Sequence, residues 1–334
     1  MKKITILGAG GWGTALALVL LRSRAPHQAC LWARRPEMAE ALRNSRVNTD
    51  YLPGFELPRE LEITSDLRAA LEGAAIVLSV VPSEHVRAIY THALPCLRPE
   101  MALVSATKGL GAPVPVRISQ LICEVTAARF PARVAVLSGP SFAREVARGD
   151  PTAVVVASED AALAAQIQEE FGGPTFRLYT NTDVAGVELG GAVKNVIAIA
   201  AGVCAGLGLG HNSMAALVTR GLAEMTRLAV ALGGRRETLG GLAGLGDLVL
   251  TCTGALSRNR NVGVALGEGR KLAEIQSGMR MVAEGVRTTA ATLELARRHG
   301  LEMPITEQMH AVLYQGRAPR EAIRELMERR QKTE

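Results

Sequence analysis

The chain has 334 residues, 48% of them hydrophobic but only 3% aromatic, and a formal net charge of +6. That length outgrows one comfortable hydrophobic core and suits two domains, with cores built from Ala, Val, Leu and Ile. The basic balance comes without a long Lys/Arg run or interleaved aromatics, which argues against nucleic acid and leaves a solvated surface or anionic small molecules.

Met1-Lys2-Lys3 and the apolar residues after them imitate a signal peptide, but the run stops at Gly8, too short for an h-region. Residues 3–7 read as a strand, 8–13 as a turn and 14–21 as a helix. Further strands are predicted over 29–33, 61–64, 74–80, 102–107, 134–138, 153–157 and 176–179, and helices over 83–94 and 116–128. Several of these strands are apolar throughout, the pattern of strands covered on both faces. The expectation is a mostly parallel sheet in an α/β domain over residues 1–185. The uncharged stretch 196–210 falls short of the roughly 20 residues that span a bilayer, and reads as a buried helix followed by a loop. No convincing strand follows residue 185, so an all-helical domain is expected over 186–334. Asn212 or Ser213 would cap a helix ending before Gly233, another helix would stop at Gly300, and Pro319 would open a last one. Cys30, Cys96, Cys123, Cys204 and Cys252 form no CxxC pair and lie in apolar runs, as thiols of a reducing compartment do.

Gly8-Ala9-Gly10-Gly11-Trp12-Gly13 matches GxGxxG, directly after a strand and opening a helix. In that context it is the fingerprint of a Rossmann-type dinucleotide site. Gly8 permits the turn, Gly10 leaves room for pyrophosphate, and Gly13 lets the helix approach the strand, while free N–H groups at the helix start face the phosphates. NAD-specific sites carry an acid at the end of the second strand. Here Arg34 and Arg35 stand there instead, and guanidinium groups pair with a 2′-phosphate, so NADPH is favoured over NADH.

Ligands of open α/β sheets collect at the carboxyl ends of strands. Two such ends carry candidate chemistry: Lys108 after 102–107, and Gly139-Pro140-Ser141 after 134–138. Each reads equally as a solvated Lys or an N-cap Ser. Lys194 stands in a Gly- and Ala-rich apolar setting, where a lysine must be paired, neutral or at a site opening. Reduction of a ketone leaves an alkoxide that needs a proton, and desolvation with a neighbouring cation would tune a lysine to supply it. Asp247, between Gly-rich and apolar residues, is a partner for a buried lysine. Ser257-Arg258-Asn259, ahead of a short helix, can hold a phosphate or can simply be an N-cap with solvated arginines. His85 and His92 lie seven apart on one helix without an acid at matching spacing, His211 lies in a Gly loop, and no His/Cys/Asp/Glu spacing suggests a metal.

GAGGWGTALA at 8–17, ATKG at 106–109, LSGPSFA at 137–143, AVKNV at 192–196, GLGDLVLTCTG at 244–254 and SRNRNVG at 257–263 together resemble the bacterial NAD(P)-dependent glycerol-3-phosphate dehydrogenase family. The resemblance implies that Lys194 donates and accepts the catalytic proton. It implies glycerol-phosphate contacts at Lys108, Gly139, Ser141, Asp247, Ser257, Arg258 and Asn259. It implies cofactor contacts at Gly11, Trp12, Arg34, Arg35, Tyr51, Lys108, Ala143, Arg258, Val282 and Glu284. Members often carry Ser or Ala where this chain has Gly11, a difference expected to be harmless because a backbone N–H does the binding. The implied reaction is reversible reduction of dihydroxyacetone phosphate to sn-glycerol 3-phosphate, supplying phospholipid synthesis from a cytoplasmic homodimer. The competing readings are another two-domain dehydrogenase, of the 3-hydroxyisobutyrate or 6-phosphogluconate type, and a non-catalytic NADPH-binding sensor, which would have no need of Lys194 or Asp247.

Overall fold

The computed structural model describes residues 1–279 and 283–330, in two compact units, Met1–Glu188 and Leu189–Glu334. The first contains β1 (Lys2–Leu7), α1 (Gly11–Leu21), β2 (His27–Trp32), α2 (Pro36–Ser45), β3 (Val47–Asn48), β4 (Leu52–Glu56), β5 (Glu62–Thr64), α3 (Leu67–Leu71), β6 (Ala74–Ser79), α4 (Val86–Ala93), β7 (Ala102–Ser105), α5 (Ile118–Thr126), β8 (Arg133–Ser138), α6 (Ala143–Arg148), β9 (Thr152–Ala157), α7 (Ala161–Phe171) and β10 (Phe176–Asn181). Eight strands form one sheet in the order β10-β9-β8-β7-β6-β1-β2-β5. Its ladders are parallel except β8 against β9.

The strands that lack alternation feed two cores. On β6 and β7, Ile76, Leu78, Ala102 and Val104 join one cluster with Leu16 and Leu20 of α1 and Ile167 and Phe171 of α7. Val77 and Leu103, between them in sequence, join the other with Leu71 of α3, Tyr90 of α4 and Ile122 of α5. Both faces are covered, so their side chains are mostly apolar, and buried polar ones such as Thr5 and Ser79 are hydrogen-bonded. The sheet order reverses at β1, which lies between β2 and β6, and the β1–α1 turn stands at that switch point.

Several elements differ from expectation; the helix expected to be capped by Asn212 or Ser213, for one, begins at His211 with Gly210 as its cap. β3 and β4 pair as an antiparallel hairpin; a two-residue strand facing one that contains Pro53 and Gly54 has no strand-like pattern. Residues 83–94 divide into a 3₁₀ turn, Ser83–His85, then α4 and a second 3₁₀ turn, Leu94–Cys96. The buried helix expected at 196–210 is α8 (Val184–Gly206), which begins twelve residues earlier than that and crosses the division between the units. Its 23 residues are long and apolar enough to cross a membrane, but its most apolar window is 89% buried within the protein, as in a core helix.

The second unit continues with α9 (His211–Ala231), α10 (Arg236–Leu239), α11 (Asp247–Thr253), α12 (Arg258–Gly267), α13 (Leu272–Ser277), α14 (Glu284–Arg298), α15 (Pro304–Tyr314) and α16 (Pro319–Met327). Among the described residues it holds no strand. Buried Glu224 of α9 caps α15, its carboxylate accepting from the N–H groups of Ile305 and Thr306 and from the Thr306 hydroxyl. Burial outweighs those bonds and pushes its pKa up to about 7 from 4.5. The folded state therefore holds a proton that the unfolded state has lost between those values, and stability falls as pH rises across that window. Urea midpoints from pH 4.5 to 7.5 should decline in wild type and flatten in Glu224→Gln; parallel curves would remove Glu224 as the cause.

Candidate dinucleotide and proton-transfer sites

The glycine-rich turn has the geometry its sequence predicts. Gly8 adopts φ +117°, and a Cβ on Gly13 would lie 1.9 Å from the Gly8 carbonyl oxygen, so α1 starts as close to β1 as backbone permits. A Cβ on Gly10 would meet nothing within 4 Å, and α1 has no side-chain cap at Gly10. The space beside Gly10 at the helix start is thus open, and there the dipole favours an anion. The indole N–H of Trp12 is buried and, among the described residues, has no hydrogen-bond partner. An uncapped helix start, an open cradle and an orphaned donor are what a bound dinucleotide would satisfy.

Arg34 and Arg35 follow β2 and are exposed. Among the described residues neither has a carboxylate partner, and Arg35 reaches the Met38 sulfur at 3.9 Å. Tyr51 sits in the β3–β4 loop, and its carbonyl oxygen would be 2.7 Å from a Cβ on Gly11, with the Ala143 Cβ at 3.9 Å. In this chain the obstacle to a side chain at position 11 is backbone, so the hairpin would have to move to admit one. At the ends of β7 and β8, Lys108 Nζ donates to the Gly139 carbonyl at 2.8 Å and to Ser141 Oγ at 3.2 Å, and Ser141 Oγ donates to the same carbonyl at 2.9 Å. Three residues singled out on separate strand ends are one cluster.

In the second unit, Lys194 and Asp247 are both buried and meet: Lys194 Nζ donates to Asp247 Oδ1 at 2.6 Å and to Thr251 Oγ1 at 2.9 Å. Thr251 in turn donates to the Asp247 carbonyl at 2.6 Å, leaving its oxygen lone pairs for the lysine. Asp247 follows a π-helical turn, Leu242–Gly246, that leads into α11 and packs so near α8 that a Cβ on Gly190 would lie 2.5 Å from the Ala243 oxygen. Among the described residues a carboxylate and a hydroxyl accept from this amine, and the carboxylate is the partner its apolar setting called for. Thr251 escaped sequence reasoning, although its i+4 spacing from Asp247 puts both on one helix face. Burial pushes the Cys252 thiol of the same helix up to about 12, which disqualifies it as a nucleophile at neutral pH.

Ser257 is the N-cap of α12, its Oγ accepting from Arg260 N at 3.2 Å. Asn259 donates to Asn195 Oδ1 and accepts from Gly285 N, both at 2.9 Å, bridging α8, α12 and α14. Two of the three predicted phosphate contacts thus also hold the fold. Arg258 between them is exposed, yet protein atoms crowd its guanidinium enough for desolvation to lower its pKa, with the Glu284 carboxylate acting the other way. α12 is set against α8 through glycines: a Cβ on Gly202 would lie 2.0 Å from the Arg260 oxygen, and one on Gly263 2.0 Å from the Ile199 oxygen. That contact places the start of α12 relative to Lys194. Val282 lies outside the described residues. His211 begins α9, exposed, and among the described residues no three His, Cys, Asp or Glu side chains gather as a metal site.

A dinucleotide turn at a sheet switch point, together with a buried Lys–Asp–Thr cluster on a helical unit, defines a nicotinamide-dependent dehydrogenase. The N-terminal and C-terminal domain profiles of NAD-dependent glycerol-3-phosphate dehydrogenase match residues 3–164 and 183–324. The chain belongs to that family. It is 59% identical to the glycerol-3-phosphate dehydrogenase [NAD(P)+] of Koribacter versatilis, covering 100% of this chain and 99% of the relative. It is 56% identical to that of Acidobacterium capsulatum, covering 98% of both. The crystal structure of the Coxiella burnetii glycerol-3-phosphate dehydrogenase is 44% identical and superposes with a TM-score of 0.93, over 98% of this chain and 99% of that one.

Proposed function

We propose that this chain reduces dihydroxyacetone phosphate to sn-glycerol 3-phosphate, reversibly, with NADPH preferred over NADH, and so supplies glycerol phosphate for phospholipid synthesis. The observation that carries this reading is the buried Lys194–Asp247–Thr251 cluster in a chain of this family. NADPH, when bound, supplies the hydride. Residues 1–185 bind it through Gly8, Gly10, Gly11, Trp12, Gly13, Arg34, Arg35, Tyr51 and Ala143, with Val282 and Glu284 added from the helical part. Residues 186–334 supply substrate and proton-transfer groups. Lys194 Nζ gives its proton to the oxygen of the reacting carbonyl and takes it back in the reverse direction. Asp247 and Thr251 aim that amine. Ser257, Arg258 and Asn259 hold the phosphate, with Lys108, Gly139 and Ser141 as further substrate contacts and Lys108 and Arg258 shared with the cofactor. Five free cysteines fit the cytoplasm, and the working form is read as a homodimer.

The test follows cofactor absorbance with dihydroxyacetone phosphate, unphosphorylated dihydroxyacetone, 3-hydroxyisobutyrate and 6-phosphogluconate, each with both cofactors. Turnover confined to the phosphorylated triose pair is expected; preference for either acid would move the chain to another dehydrogenase class, and inactivity with every substrate despite NADPH binding would favour a sensor. The Arg34/Arg35 assignment has its own measurement. A charge-assisted hydrogen bond contributes about 1.5–3 kcal/mol, more than tenfold in affinity. Replacing both arginines by Ala should weaken NADPH by at least that factor relative to NADH, and equal weakening of the two would defeat it.

A further inference from the structure

We infer that Asn48 is a positioning residue for the cofactor: its buried side-chain amide ties the glycine-rich turn to the hairpin that carries Tyr51. This rests on the dinucleotide reading above. Asn48 lies on β3 and is 1% exposed. Its Nδ2 donates to the Ala9 carbonyl at 3.0 Å and to Thr14 Oγ1 at 2.8 Å, while its Oδ1 accepts from Tyr51 N at 3.2 Å. A primary amide has two N–H donors and one carbonyl. Here each donor reaches a separate anchor, one in the turn and one in α1, and the carbonyl holds the hairpin loop.

The bond to Ala9 bears on the site directly. A trans peptide sends its C=O and the following N–H to opposite sides. Fixing the Ala9 carbonyl on Asn48 therefore fixes where the Gly10 N–H points, beside the position at which a Cβ would meet nothing within 4 Å. The bond to Thr14 holds the first turn of α1 against the same amide. The bond to Tyr51 N sets the loop whose carbonyl reaches the Gly11 position so closely that only a glycine fits without movement. Asn48 thus controls the turn, the helix start and Tyr51 together, although it has no place among the family-implied contacts. Asp cannot substitute: an ionised carboxylate has no donor and would turn an acceptor toward the Ala9 carbonyl.

The experiment measures NADPH affinity by fluorescence titration and kcat at saturating NADPH for wild type, Asn48→Asp, Asn48→Ala, Thr14→Val and Thr14→Ser. A buried polar group left unpaired costs enough to predict a rise in NADPH Kd on the order of tenfold for Asn48→Ala and more for Asn48→Asp. Thr14→Val should show a smaller rise that Thr14→Ser reverses, because Ser keeps the acceptor. kcat at saturation should stay within about twofold, since the reacting groups are untouched. Unchanged Kd in folded Asn48→Asp overturns the inference, as does a loss of kcat with unchanged Kd, the mark of a general folding defect. Should neither Asn48 variant fold, Thr14→Val decides by the same criterion. Wild-type protein that binds neither NADPH nor NADH would sink the dinucleotide reading itself, a result separate from any of these.

Discussion

Lys194→Met should lose about 10²–10⁴ in turnover, the usual worth of a positioned general acid, while NADPH affinity stays at the wild-type value. Met keeps the length of the stem inside a helix whose neighbours, Val193, Val196 and Ile197, are all fully buried, so packing changes little. What disappears is the amine that Asp247 and Thr251 hold at 2.6 and 2.9 Å. Addition of hydride to a ketone generates an alkoxide, and the variant lacks the amine positioned to protonate it. The reverse reaction should fall by the same factor, because the same nitrogen takes the proton from the alcohol. Removing the lysine also breaks a buried ion pair, so the folded fraction must be counted on the same sample and kcat referred to it. Retention of more than about a tenth of wild-type turnover, with normal NADPH binding, would exclude Lys194 as the donor.

The parts of this site that sequence made legible are those whose chemistry is local. Gly8, Gly10 and Gly13 sit within six consecutive residues, and the turn they form needs nothing beyond its neighbours. The two-faced strands are equally legible, because burial on both sides erases alternation over each strand by itself. Lys194 and Asp247 were legible as a pair for a different reason: an ion in an apolar run has few solutions. Asn48 left no such trace. Two of its three partners stand 39 and 34 residues away, and its own neighbours form a hairpin too short and too interrupted to read as strands. The start of α8 was hidden by Gly186, Gly190 and Gly191, which lower helix propensity; the close approach of Gly190 to Ala243 is what a larger residue would forbid. The alternative readings of Ser257 as cap or ligand contact could not be separated in sequence because an N-cap hydroxyl and a phosphate-binding hydroxyl occupy the same end of the same helix.

Asp247→Leu should lower stability by about 3–5 kcal/mol, the cost of removing one partner of a buried ion pair. Lys194 and Asp247 are 4% and 1% exposed, so the surviving ammonium has little water to turn to. Its remaining partner of the two, Thr251, offers a dipole and no charge. The double variant Lys194→Met with Asp247→Leu should recover most of that loss, because an apolar pair of similar volume avoids the desolvation of both ions. Urea unfolding of wild type, both single variants and the double variant closes a double-mutant cycle, with the helical unit's transition followed separately if the two units unfold apart. Strongly non-additive values, with the double variant near wild type, mean that the ion pair contributes little net stability. Its presence in the interior then needs another reason, and proton transfer supplies one: the carboxylate keeps a proton-bearing amine at a fixed point on a buried helix. A double variant as unstable as the sum of the singles would instead make the pair a structural fixture of α8 and α11, and would weaken the case that it is held there for chemistry.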